Sequence, residues 1–275
     1  MRILITGKSG QLAQALLARW PQAMGVGRPE VDLARPESVQ AVVDAARPEL
    51  IVHCAAMTDV DGAARDPHAA YLANGLGTQN VALAAERAGA AVAYISTNEV
   101  FDGAKATPYT EFDTPNPINP YGWSKRAGEW FVQNLSRRFF IIRTSWVTGR
   151  GGRNFVHRIQ QLADERGALK VVTNEVASPT FTEDLADAIV KLVNTHHYGI
   201  YHCTNNGYCS RFEYAKKILE LSGRAHIPVE PITLADFPRP STPPPFTPLA
   251  NFAAAALGIT LKPWEEALKE FLEAK

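Results

Sequence analysis

Ile3-Leu4-Ile5-Thr6-Gly7-Lys8-Ser9-Gly10-Gln11-Leu12-Ala13 opens the chain as an apolar strand that breaks into a glycine turn. Leu12-Ala13-Gln14-Ala15-Leu16-Leu17-Ala18-Arg19 then continues as a helix up to Trp20-Pro21. Strand, glycine turn and helix in that order form the phosphate-binding unit of a dinucleotide fold. Gly7 permits the sharp turn, and Gly10 lets the backbone approach a pyrophosphate. The helix N-terminus at Gln11 and Leu12 meets the negative charge, and small Ala13 lets the helix pack close to its strand. The spacing is GxxGxxA rather than GxGxxG. Tight turns use glycine for backbone reasons alone, so the position directly after a first strand carries the inference.

Downstream the alternation repeats. Met24-Gly25-Val26 is a short second strand whose exit offers Arg28, where an NAD binder would place an acid on the ribose. An arginine there suits a 2′-phosphate, with a solvated loop arginine as the competing reading. Asp32, in Val31-Asp32-Leu33, can still touch the adenine or ribose. Pro36 opens a helix through Ala46. Leu50-Ile51-Val52-His53-Cys54-Ala55-Ala56 is the continuous apolar run of a buried parallel strand, with His53 as a satisfied core group. Its small end, Ala55-Ala56 and then Met57, leaves room for a ligand in the crevice beyond the strand. A helical stretch from Pro67 to about Arg87 is interrupted at Asn74-Gly75. Residues 90–95 form a fourth strand ending in the hydroxyls of Ser96-Thr97, and Phe139–Thr144 a fifth. The glycine-rich run after Trp146 marks a change of organisation, with later strands at 169–172 and 199–203 flanking a helix at 182–194. The proline-dense stretch 228–248 cannot build a core and is expected to lie over a pocket or cross the surface.

Asn119-Pro120-Tyr121-Gly122-Trp123-Ser124-Lys125 starts another helix, with Pro120 suited to its first turn. Tyr121 and Lys125 are four apart and project from one face. A phenol ionises near pH ~10 and is a poor proton carrier at neutrality. A fixed ammonium beside it is expected to favour the phenolate and pull that pKa toward the working range. In isolation the pair would equally suit a surface without function, so its weight comes from the crevice residues around it.

Among 275 residues, Lys+Arg and Asp+Glu number 28 each, so the net charge is zero. Nothing electrostatic recommends nucleic acid or an anionic membrane as a partner. No apolar run approaches the ~20 residues of a membrane span, and Met1-Arg2 leads into the first strand without a signal-peptide pattern. Cys54, Cys203 and Cys209 lack CxxC spacing and read as reduced thiols of a cytoplasmic protein. The histidines show no ligand spacing, so no metal is expected.

Together these segments resemble the extended short-chain dehydrogenase/reductase superfamily, and within it the dTDP-4-dehydrorhamnose reductase branch, over nearly the whole chain. The resemblance is carried by residues 7–13, 55–61, 96–103 and 121–125, by Arg143-Thr144-Ser145-Trp146, Asn154-Phe155, Ser178-Pro179-Thr180, Gly199-Ile200-Tyr201-His202 and Arg239-Pro240. It implies an α/β fold, a Rossmann-like doubly wound parallel sheet with a smaller, mainly C-terminal substrate-binding region. Residues 1–147 and 177–203 would bind NADPH, with NADH also admissible. Residues 148–176 and 204–275 would close over a nucleotide sugar, and a homodimer is left open. Carried over, Tyr121 would protonate the C4 alkoxide of a 4-keto-6-deoxyhexose, as in the reduction of dTDP-4-dehydrorhamnose to dTDP-rhamnose. Lys125 would bind the nicotinamide ribose and tune the phenol, and Thr97 would hydrogen-bond the reacting oxygen. Trp146 would border the sugar, with Asn98, Asn154 and Arg239 as further substrate contacts. Gly7, Gly10, Gln11, Leu12, Arg28, Asp32, Leu33, Ala55, Ala56 and Met57 would line the cofactor.

Two departures qualify the substrate. The branch usually reads Ser-Thr-Asp-Tyr-Val-Phe-Asp-Gly, whereas Asn98 and Glu99 stand here for the acid and the aromatic. Asn98 can still hold a sugar hydroxyl. Glu99 is expected to swing outward into solvent, because a pocket carboxylate facing a pyrophosphate costs affinity. Near the end, Thr247-Pro248-Leu249-Ala250 only loosely matches the usual Ser-x-Leu-Asp. An epimerase or dehydratase would use the same fold and Tyr/Lys pair, with Glu99 as an added acid. A non-catalytic subunit resembling the regulatory β-subunit of methionine adenosyltransferase is the reading from another class.

Overall fold

The computed structural model describes residues 1–152 and 154–274; Arg153, which ends the glycine-rich run, and Lys275 lie outside the described residues. Six parallel strands form the central sheet: β1 Ile3–Thr6, β2 Met24–Val26, β3 Leu50–His53, β4 Ala91–Thr97, β5 Phe139–Thr144 and β6 Gly199–His202. Their spatial order is β2-β1-β3-β4-β5-β6, with Ile5 opposite both Gly25 and Val52. The longer helices are α1 Gln11–Arg19, α2 Pro36–Ala46, α3 Gly77–Ala88, α4 Pro120–Leu135, α5 Phe155–Arg166, α6 Thr182–Thr195, α7 Arg211–Leu221 and α8 Trp264–Glu273.

Strand alternation divides the apolar residues between two faces. Ile3, Ile5, Val52, Phe140 and Ile142 pack with Leu12 and Leu16 of α1 and Leu185 and Ile189 of α6. Leu4, Ile51, Val92, Tyr94 and Ile141 pack with Val39 and Val43 of α2, Val81 of α3 and Val132 of α4. Burial on both faces is why these strands read as unbroken apolar runs. The sheet grows in opposite directions from β1, so the crevice beyond the carboxyl ends of β1 and β3 is its switch point, where doubly wound folds bind ligands.

A second core gathers Val156 and Ile159 of α5, Tyr214 and Ile218 of α7, and Trp264 and Leu268 of α8. The proline-dense stretch is not wholly irregular, since Val229–Ile232 pairs in parallel with Leu169–Val172. This pair is a two-stranded edge, where Pro231 is tolerated. The rest of the stretch runs back over the carboxyl ends of the strands. Tyr109 N–H donates to the Pro248 carbonyl at 2.8 Å, and Val176 N–H to that of Pro245 at 2.8 Å. Ala254, Ile259 and Leu261 join the core under the central sheet. Residues 67–88 are helical throughout, and the expected interruption at Asn74-Gly75 is a π-helical turn. This turn, Tyr71–Leu76, joins a short helix to α3 and turns Asn74 inward, 1% exposed.

Candidate active site

Gly7 adopts φ 73°, and a Cβ there would come within 2.8 Å of the Ala55 Cα. The ends of β1 and β3 therefore approach as only glycine permits. Gly10 caps α1 without any side-chain cap, leaving the helix N-terminus open to an anion. This cradle fits a dinucleotide pyrophosphate. Gln11 reaches sideways instead, its carboxamide oxygen accepting from Gly149 N–H at 2.7 Å. Arg28 and Asp32 are exposed beyond β2, while Leu33 packs against Gly77 of α3. Lys8 pairs with Glu30, which also accepts from Gly27 N–H at 3.2 Å. Glu30 is an acid at the β2 exit that the sequence reading passed over, although it stands two residues after Arg28.

Asn119 caps α4, its side-chain oxygen accepting from Gly122 N–H at 2.8 Å. The turn it starts presents Tyr121 and Lys125, 9% and 2% exposed, to the end of β4. There the Thr97 side chain lies beside the Tyr121 phenol. Lys125 donates to the Ile95 carbonyl at 2.7 Å and sits 4.2 Å from the centre of the Tyr94 ring. Burial lowers its pKa to about 7, with Glu129 one turn on opposing the shift. The phenol moves the other way from the expected pull. Burial raises it first and the charge of Glu99 adds to the rise, while Thr97 works against both. The ammonium faces a carbonyl and a ring rather than the phenol, so it does not offset that rise. A neutral phenol is the form that can donate a proton. His53 is a core group, held between Thr6 at 2.7 Å and Thr78 at 3.1 Å.

The substrate-side residues cluster above this set. Trp146 adopts φ 42°, a sparsely populated conformation for a non-glycine residue. The Arg211 guanidinium lies 3.6 Å from its ring centre and pairs with Glu175 at 2.9 Å. Arg239 donates to Asp61 at 2.9 Å, tying the proline-dense segment to the loop beyond β3. Asn98 donates to the Thr247 hydroxyl at 2.6 Å and accepts from Thr97 at 3.3 Å. Asn154 lies farther out, capping α5 at His157 and donating to Gly149. Glu99 does not swing outward. It is half-buried beside Tyr121, accepting from Asn119 at 2.7 Å, because the chain leaves β4 in a 3-10 turn over 98–100. Asn74, Glu175 and Arg211 escaped the sequence reading. Asn74 falls in an apparent helix break, and the other two have no local pattern.

The RmlD substrate binding domain model matches residues 1–275. The chain belongs to that family. Its relatives include the spore coat polysaccharide biosynthesis protein SpsK of Bacillus subtilis (strain 168), 37% identical over 100% of this chain and 98% of that protein. The dTDP-4-dehydrorhamnose reductase of Sinorhizobium fredii is 36% identical, covering 100% and 97%. The solved structure of dTDP-4-dehydrorhamnose reductase from Bacillus anthracis str. Ames, in complex with NADP, superposes with a TM-score of 0.96 at 39% identity, covering 100% and 99%. UDP-glucose 4-epimerase from Thermus thermophilus reaches a TM-score of 0.84 at 22% identity over 99% and 98%, which shows the shared fold alone. Members of the RmlD family thus match this chain end to end.

Proposed function

We propose that this protein is an NADPH-dependent oxidoreductase that reduces the C4 ketone of a nucleotide-linked 4-keto-6-deoxyhexose, dTDP-4-dehydrorhamnose to dTDP-rhamnose. The observation that carries it is the meeting of Thr97, Tyr121 and Lys125 at the carboxyl ends of the strands, beside the glycine cradle. Full-length identity to reductases of this name supports it, as does the NADP-bound relative.

Gly7, Gly10, Ala55 and Met57 would line the dinucleotide, which when bound supplies the hydride. Lys125 would hold the nicotinamide ribose, and Arg28 would take the adenosine 2′-phosphate. As the C4 oxygen gains negative charge, Thr97 donates a hydrogen bond to it and Tyr121 gives it a proton. Trp146 borders the hexose, and Asn98, Asn154 and Arg239 complete the substrate surroundings. The proline-dense segment would cover this crevice, tied to it by Arg239–Asp61 and Asn98–Thr247. The reading includes residence in the cytoplasm, supported by three free cysteines, and a homodimer. No helix among the described residues is long and apolar enough to cross a membrane.

The test is NADPH oxidation on adding a dTDP-4-keto-6-deoxy sugar. Stoichiometric oxidation with formation of the 4-hydroxy sugar supports the reading. Tight NADPH binding without turnover of any 4-keto sugar would favour the non-catalytic subunit.

A further inference from the structure

Glu99 grips the start of α4 on both sides of Tyr121. Before the tyrosine, its carboxylate accepts from Asn119 Nδ2 at 2.7 Å. The Asn119 oxygen in turn accepts from Gly122 N–H at 2.8 Å, and its Nδ2 also donates to the Thr242 carbonyl at 3.1 Å. After the tyrosine, the Glu99 backbone carbonyl packs so closely on Gly122 that a Cβ there would overlap it. The Glu99 N–H donates to the Thr97 hydroxyl at 3.2 Å, so one short turn carries both the group that touches the phenol and the group that fixes its helix.

We propose that Glu99 is a positioning residue for Tyr121: it sets the start of α4 through Asn119 and Gly122 and places a carboxylate beside the phenol. This rests on the reductase reading. The charged groups facing Glu99 are Glu175 from the segment before Val176, Arg211 at the start of α7, Arg239 from the proline-dense segment, and the Tyr121 phenol of α4. Arg211 is committed to Glu175 and Arg239 to Asp61, so neither arginine neutralises Glu99 alone. Burial raises the Glu99 carboxyl to about 7, with Asn119 opposing and the Glu175 charge adding to the rise. Above that pH the anion adds to the burial that already holds Tyr121 in its neutral form, and below it burial acts alone.

The experiment is the pH profile of kcat/KM, with kcat and the NADPH Kd, for wild type, Glu99→Gln and Glu99→Ala. Glu99→Gln keeps an acceptor for Asn119 and removes the charge. It should move the alkaline limb toward acid, with the NADPH Kd unchanged within about twofold, while any inflection near pH 7 from Lys125 stays in every variant. Glu99→Ala also loses the Asn119 bond and should lower kcat about tenfold further. A Gln profile superimposable on wild type would overturn the inference, as would an alanine variant within twofold of wild type in kcat. If the alanine variant does not fold, the glutamine profile decides alone. A wild-type enzyme that turns over no 4-keto sugar would overturn the reductase reading, and this inference with it.

Discussion

Asn74 donates to the Ser124 hydroxyl at 2.9 Å, joining the π-helical turn to the turn of α4 between Tyr121 and Lys125. Its amide also donates to the Met57 carbonyl at 3.0 Å and accepts from Met57 N–H at 2.8 Å. The Ser124 hydroxyl in turn donates to the Tyr121 carbonyl at 2.7 Å. One buried amide thus locks the loop beyond β3 to the turn that carries the chemistry. Asn74→Ala leaves Met57 N–H without its buried partner, a loss of about 1–3 kcal/mol. Urea denaturation should show that loss, with a lower kcat at saturating substrate. Unchanged stability would remove Asn74 from this role.

Tyr121→Phe removes the proton donor and leaves the aromatic packing. General acid catalysis contributes roughly 100- to 10,000-fold, so kcat should fall on that scale while NADPH affinity holds. A variant within threefold of wild type would remove the phenol from the mechanism.

Lys125 predicts opposite effects on stability and function. Its ammonium loses its proton near pH 7 in the folded chain, against an ordinary value of 10.5. The unfolded chain therefore binds more protons between these values, and stability rises with pH across that window. Lys125→Met should melt higher than wild type below pH 7, with the gap closing toward pH 10.5. The same variant should bind NADPH more weakly and turn over more slowly. A melting difference independent of pH would contradict the buried-ammonium account.

Coenzyme choice turns on two charges at the β2 exit. On the proposed cofactor placement Arg28 would favour a 2′-phosphate, while Glu30, held by Lys8, would oppose one. A charge-assisted hydrogen bond contributes about 1.5–3 kcal/mol, roughly one to two decades of preference. Arg28→Ala should lose that preference for NADPH over NADH in kcat/KM, and Glu30→Gln should increase it. Equal preference in wild type and Arg28→Ala would take Arg28 out of the cofactor site.

The parts legible in the sequence are those with a local cause. Gly7 and Gly10 follow β1 directly, and Tyr121 and Lys125 share a helix face, so spacing alone exposes them. The continuous run through Val52 announced a parallel strand buried on both faces. What stayed hidden depends on long-range approach. Arg211 meets Glu175 from 36 residues away, and no periodicity encodes such a pair. Glu99 is expected in solvent because a carboxylate facing a pyrophosphate costs affinity, but β4 ends at Thr97 and the turn that follows brings the carboxylate to Asn119. The tuning of Tyr121 by Lys125 was inferred from spacing, whereas burial and the Glu99 charge decide its direction.

The most direct test of the hydride-transfer claim uses NADPH carrying deuterium at the nicotinamide C4, mixed with enzyme and a dTDP-4-keto-6-deoxyhexose. The product is then read by NMR. The account predicts deuterium at C4 of a 4-hydroxy sugar, formed in proportion to oxidised cofactor and suppressed by Tyr121→Phe. A sugar that isomerises or loses water while the cofactor is not consumed would contradict it.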